Sequence, residues 1–217
     1  MNRWRKLGDG SELLLVGADN EAFPIPPQNA AGRCYFDATA GKEEILTRRI
    51  GRDEIEAIDV CPALADAQTE YFSQRHEGVK QYAQKFISDA GQQNGLYWQS
   101  PQGSPRSSLG PVVAFATEEG LKVKPDSAQP FYGYYFRQLE MQGPAAKGGA
   151  KNYIVRGKMI DGFAYIAYPA KYGDTSVMTF IIDRDRVVYQ NNLGKDTADV
   201  AKAVTQFNPG DGWTALE

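Results

Sequence analysis

The chain contains a single histidine, His76, the side chain best suited to carry a proton near neutral pH. It lies in QRHEG, between Arg75 and Glu77. Acyl-transfer chemistry needs a nucleophile, a base and an orienting acid brought together by the fold. Nothing local supplies them, so His76 reads as an exposed histidine near a helix end, where the dipole favours its charge. Ser100, Ser104, Ser107 and Ser108 cluster in QSPQGSPRSSLG. A nucleophile elbow would read G-x-S-x-G between strand and helix. That motif is missing, and these serines read as turn formers and caps. Asp174, Asp183 and Asp185 offer oxygens to a hard cation, but Ca²⁺ takes roughly six to eight in a Gly-marked loop. Arg184 and Arg186 flank Asp185, which favours a turn. Gly148–Gly149 follow Lys147 but precede a strand pattern, whereas a phosphate loop opens a helix. Glu43 and Glu44 stand four or five residues before Arg48 and Arg49, as helix ion pairs do; they read equally as surface pairs or as ties to a neighbouring segment. No catalytic, cofactor-binding or metal-ligating residue is assigned.

The best candidate for binding is aromatic. Tyr97, Trp98, Tyr132, Tyr134, Tyr135, Tyr165, Tyr168 and Tyr172 fall in or beside strand patterns. Alternation along strands sends half of such side chains to each face. With one face under a helix, the other half forms an aromatic surface able to stack sugars or dock a protein. The alternative is that these rings cover the edges of the core.

The elements that must position these residues follow from periodicity. Aromatic and β-branched runs alternate with Gly, Asp and Pro breaks from Phe131 to Tyr189, the signature of antiparallel strands. Strands are expected at Glu12–Gly17, Arg33–Ala38, Tyr132–Met141, Tyr153–Lys158, Phe163–Ala170, Ser176–Asp183 and Val187–Gln190, and Phe23–Pro27 reads as extended. A helix is expected from near Ala40, with Glu43 and Glu44 in its first turn and a break at Gly51. A second follows over Asp53–Gln74, its stripe running through Ile55, Ile58, Cys61, Ala65, Gln68 and Phe72, with Leu64 and Tyr71 alongside. Pro62 is expected to kink it. Short helices are expected over Val79–Ser88, with Val79, Tyr82, Ala83 and Phe86 inward, and over Pro111–Glu119. Gly91–Gly110 reads as a long loop, and the connection at Asn208–Gly212 as a turn that folds Trp213 back onto the body. A closing helix is expected over Asp196–Phe207, burying Val200, Ala201, Val204 and Phe207.

Composition narrows the function classes. The chain has 217 residues, 42% hydrophobic and 24% charged, as ordinary globular proteins do. A net charge of -3 argues against nucleic acid as a partner. No apolar run approaches the roughly 18 residues of a membrane span. Asn2–Gly10 is polar and charged, unlike a signal peptide. The two cysteines, Cys34 and Cys61, read either as one disulfide or as two small buried hydrophobes.

Several unusual blocks occur together: FPIP, YFDATAGKEEILTRRIGRDE, AIDVCPALADAQTEY, GLYW, SLGP, FYGYYFRQLEMQG, GGAKNY, GKMIDGFAYIAYPAKYGDTSVMTFIID and LGKDTA. In this order they make the chain resemble the domain-of-unknown-function family 2950 from about Leu14 to Trp213. Cys34, Pro62 and Gln93–Asn94 depart from the usual residues at their positions. The resemblance implies an exported, periplasmic or secreted bacterial protein with no established catalytic residues. A weaker resemblance, carried by Tyr134–Phe136, Ile166–Pro169 and Phe180–Asp183, is to the globular part of type II pseudopilins and pilin-like proteins.

The expectation is an α+β protein. A helix packs across an antiparallel β-meander, pilin-like, in residues 51–217. Residues 1–50 form a small strand-containing segment, read either as part of the same fold or as the remnant of a separate domain. The expected function is a non-enzymatic binding or assembly module whose partner is a protein or a cell-envelope glycan. The alternatives are a pseudopilin-like component of a secretion or pilus system and a carboxylate-dependent hydrolase acting on carbohydrate. No cofactor is implied, and sequence gives no oligomeric state.

Overall fold

The computed structural model describes residues 2–8, 12–30, 32–98, 107–109 and 130–216. The chain divides into two compact units, Met1–Arg52 and Asp53–Glu217.

The first unit begins with a three-stranded antiparallel sheet, β1 (Arg3–Lys6), β2 (Glu12–Val16) and β3 (Glu21–Ala22). A hairpin follows, β4 (Pro27–Ala30) with β5 (Arg33–Phe36). Helix α1 (Ala38–Ser73) then starts. The Asp37 carboxylate caps it, accepting the Thr39 and Ala40 amides at 3.0 and 3.1 Å. Glu43 and Glu44 therefore lie beyond the first turn, contrary to expectation. Glu44 pairs with Arg48 at 2.8 Å on the surface, and Arg48 also donates to the Ala22 carbonyl. Gly41 is the one buried residue among the described residues of this unit, and a Cβ there would meet the Ile25 side chain at 2.8 Å.

Helix α1 is one continuous element of 36 residues, with no break at Gly51 or Pro62. A glycine costs about 1 kcal/mol in a helix and a proline about 3 kcal/mol. Burial of a long face outweighs both. That face carries Asp53, Ala57, Cys61, Leu64, Gln68 and Tyr71. Ile55, expected on the stripe, is 62% exposed. Cys61, Ala65 and Gln68 of the expected stripe, with Leu64 and Tyr71 beside it, are buried, and Ala57 takes the place of Ile55 on the covered face.

In the second unit a short hairpin, β6 (Arg75–His76) with β7 (Val79–Lys80), follows the helix. Its turn places Glu77 and Gly78 at positive φ, 52° and 81°. The helix expected over Val79–Ser88 does not form. The chain runs on irregularly: the Tyr82 amide donates to the Met159 carbonyl at 2.7 Å. The Gln68 amide both donates to the Ala83 carbonyl and accepts its N–H, each at 2.9 Å. One buried side chain thus satisfies backbone groups that a helix would have paired internally.

The main sheet comprises β8 (Tyr134–Leu139), β13 (Ala164–Pro169), β14 (Thr179–Asp183), β15 (Tyr189–Asn191) and β17 (Thr214–Ala215). Its order is β17-β15-β14-β13-β8, antiparallel throughout. Between β8 and β13 lie β9 (Met141–Gln142), β10 (Lys151–Asn152), β11 (Ile154–Val155) and β12 (Lys158–Met159). The single strand expected over Tyr153–Lys158 is instead the β11–β12 hairpin, because Arg156 and Gly157 take positive φ and reverse the chain. Helix α2 spans only Thr197–Ala203, and Val200 is exposed. Phe207 is buried from a strand, β16 (Gln206–Phe207), which pairs in parallel with β9.

Both faces of the main sheet are covered, where one was expected to be. Tyr165 pairs with Gln138 and Ile182 and faces α1, whose Gln68 donates to its hydroxyl at 2.5 Å. Ile166 pairs with Arg137 and Ile181 on the opposite face. There Arg137 donates to the Ala201 and Val204 carbonyls at the C-terminal end of α2, at 2.7 and 2.5 Å. Every residue of β13 is accordingly buried, as a strand between two layers must be. The helix expected over Pro111–Glu119 and most of the loop Gly91–Gly110 lie outside the described residues.

Candidate functional site

The eight aromatic residues do not form one surface. Tyr134 and Tyr165 are in the core on the α1 side. The Tyr134 hydroxyl donates to the Met178 carbonyl at 2.8 Å, and burial holds the Tyr134 and Tyr165 phenols well above their ordinary pKa. Tyr168 is buried on the opposite face with its ring 5.7 Å from that of Tyr135. Tyr172 is half-buried, and its hydroxyl donates to the Asn192 side chain at 3.1 Å. Tyr132 is half-buried in the tight turn with Gly133, both at positive φ, 46° and 71°. Tyr97 and Trp98 pack against the core from the segment that bridges to Ile87. A Cβ on the preceding Gly95 would meet the backbone of Ile87 and Ser88 at 2.7 Å, which accounts for the glycine of GLYW. The Trp98 indole N–H is buried without a hydrogen bond. The rings are divided between core and half-buried positions because the main sheet has a covering layer on each face.

The titratable groups serve the fold. His76 is half-buried, stacked on Tyr71 with centroids 3.6 Å apart and planes 4° from parallel, and Nε2 lies 2.9 Å from the Tyr71 carbonyl. It is therefore not the exposed turn residue expected. Glu54 accepts the Val177 and Met178 amides at 2.9 and 3.0 Å. Asp183 accepts the Asp185 amide at 3.0 Å, and burial raises its carboxyl above the ordinary range. Cys34 is an exposed free thiol. Cys61 is a buried one, its pKa pushed up to about 12 by burial. No group of three His, Cys, Asp or Glu side chains able to hold a metal occurs among the described residues.

A half-open depression lies on the α2 face of the main sheet. Ile181 of β14, the segment from Ala203 to Gln206, Asn208 and Trp213 line about 270 Å³. Each wall has a local cause. Helix α2 stops after seven residues, so Val204 and Thr205 continue as extended chain into β16. A Cβ on Gly143 would meet the Asn208 side chain at 2.5 Å, so this glycine lets the two segments approach. Asn208 Oδ1 accepts the Ala145 amide at 2.8 Å, which fixes the side chain. The turn through Pro209–Gly212 returns the chain to β17 and sets Trp213 against the core. Every lining side chain is uncharged at any pH a cell reaches. Sequence reasoning placed the returning Trp213 but not the depression, because β16 pairs with β9 between residues 65 positions apart and neither strand is long enough to signal itself.

The family profile described as a protein of unknown function (DUF2950) matches residues 1–216. The chain belongs to the DUF2950 family. No curated protein and no solved structure matches it. No structural neighbour confirms the pilin-like resemblance of this DUF2950 chain. No helix among its described residues is long and apolar enough to cross a membrane.

Proposed function

We propose that this DUF2950 chain is a non-enzymatic binding module that works outside the bacterial cytoplasm and engages its ligand at the depression between α2, β16 and Trp213. The observation that carries this reading is the lining itself. A ring, two amides and a hydroxyl meet there without any acid, base or thiol. Such groups recognise a ligand by shape and hydrogen bonds, and general acid–base catalysis needs titratable groups within hydrogen-bond reach of the substrate. The carboxylate with a raised pKa, Asp183, is instead engaged in its own turn. The export expectation is supported by the family resemblance alone.

The test is chemical. Immobilised protein is exposed to soluble fragments of cell-envelope glycan and peptide, and retained material is eluted and weighed by mass spectrometry. Retention of unaltered material is expected. Time-dependent conversion of any fragment, abolished by Asp183→Asn, would overturn the reading in favour of a hydrolase.

A further inference from the structure

We infer that the depression binds a neutral saccharide, about one ring deep, with Trp213 as its platform. The inference rests on the binding reading above and names its ligand class.

The argument begins with size. Small-molecule sites run from roughly 300 to 1,000 Å³, and this one, at about 270 Å³, falls just below that range. It suits a single ring with neighbours trailing into solvent. Charge comes next. Phosphate, carboxylate and ammonium ligands gain most from opposite charges or a bidentate guanidinium, and no lining residue supplies one. Arg137, the nearby cation described above, directs one terminal nitrogen to the Ala201 and Val204 carbonyls, and its Nε is buried without a hydrogen bond among the described residues.

The hydrogen-bonding inventory then points to hydroxyls. Gln206 and Thr205 make no side-chain hydrogen bond among the described residues, and Asn208 uses only its oxygen. An amide offers donors and an acceptor side by side, and a hydroxyl does both from one atom. A ligand that matches such a set must itself donate and accept at closely spaced points, as vicinal sugar hydroxyls do. Trp213 completes the set. It is partly buried and packs against the core, so its ring is held before any ligand arrives. A fixed aromatic face offers large contact area at little cost in conformational entropy, and the C–H face of a pyranose is apolar.

Titration of the intact chain with cellotriose and triacetylchitotriose, followed by tryptophan fluorescence and by amide shifts in NMR, tests the inference. Saturable binding of one of them is expected, with the largest shifts over Ala203–Asn208 and Trp213. Trp213→Ala should weaken it about tenfold, and Gln206→Ala about three- to tenfold. Because Trp213→Ala also removes a core contact, Ala203→Trp provides a second variant. It fills the depression from an exposed position and should abolish binding without lowering the melting temperature. Sugar binding that survives Ala203→Trp and Gln206→Ala overturns the site. Absence of sugar binding overturns the ligand class. If uncharged peptides then bind and Ala203→Trp blocks them, the binding reading stands while the saccharide falls.

Discussion

Residues 1–52 and 53–217 are both strand-rich, yet they differ in what their strands bury. In the first unit β1 and β5 are exposed along their whole lengths, and β2 is at most half-buried. Trp4, Tyr35, Phe36 and Ile45 remain open to solvent. In the second, β13 and β14 are buried from end to end, and Tyr165, Phe180 and Ile182 are almost wholly removed from water. Backbone pairing forms a strand in either setting. A core requires layers on both sides of it, which only the main sheet has, through α1 and α2. Strand content is therefore a poor guide to where stability resides, and covered area is the better one.

Three measurements break or sharpen this contrast. The largest effect is expected from truncating a ring in each unit. Phe180→Ala should lower the unfolding free energy by about 3–5 kcal/mol in denaturant titration. Phe36→Ala, half-exposed and in edge contact with Phe23, should cost less than about 1 kcal/mol. Equal costs would end the comparison. The thiols give a second reading. Native protein should show one thiol reactive toward an aromatic disulfide reagent, at Cys34, and Cys61 should react only in denaturant, being both buried and hard to ionise. Labelling of both at similar rates would mean that the second unit opens as readily as the first.

The smallest effect concerns Asp183. Burial raises its folded-state pKa above the ordinary value of 3.8, so the native state holds the proton more tightly than the unfolded chain. Its contribution to stability is then fully present below pH 3.8 and is lost as pH rises through the folded-state value. Asp183→Asn keeps the acceptor for the Asp185 amide and removes the titration. The melting temperature of that variant should fall less across this window than that of the wild type, and identical pH profiles would refute the assignment.

The sequence made the α+β class and the antiparallel sheet legible, because β-branched and aromatic runs between Gly and Asp breaks report directly on pleated, half-buried chain. The helical stretch was legible too, though as two helices rather than one, and Cys61, Leu64, Ala65, Gln68 and Tyr71 of its expected face are buried. Ile55 was misplaced, and Ala57 and Ala67 are too small to mark the face in the sequence. Val79–Ser88 showed apolar spacing of three and four by coincidence, and only the buried Gln68 amide, far away in sequence, explains why extended chain is stable there. Which of the aromatic rings lie in the core was not legible, since a second covering layer, seven residues of α2, is too short to announce that it caps a sheet. The depression depends on Gly143 meeting Asn208, a pairing that periodicity does not carry.

The uncharged walls around Trp213 have an implication for how this protein could work in a fluctuating milieu. Where acidity and ionic strength swing, most electrostatic contacts swing with them. A cradle made of an indole, amides and a hydroxyl has no proton to exchange and no counterions to shed. Its grip would stay level through such swings, so unloading would have to be driven by dilution or by a rival ligand.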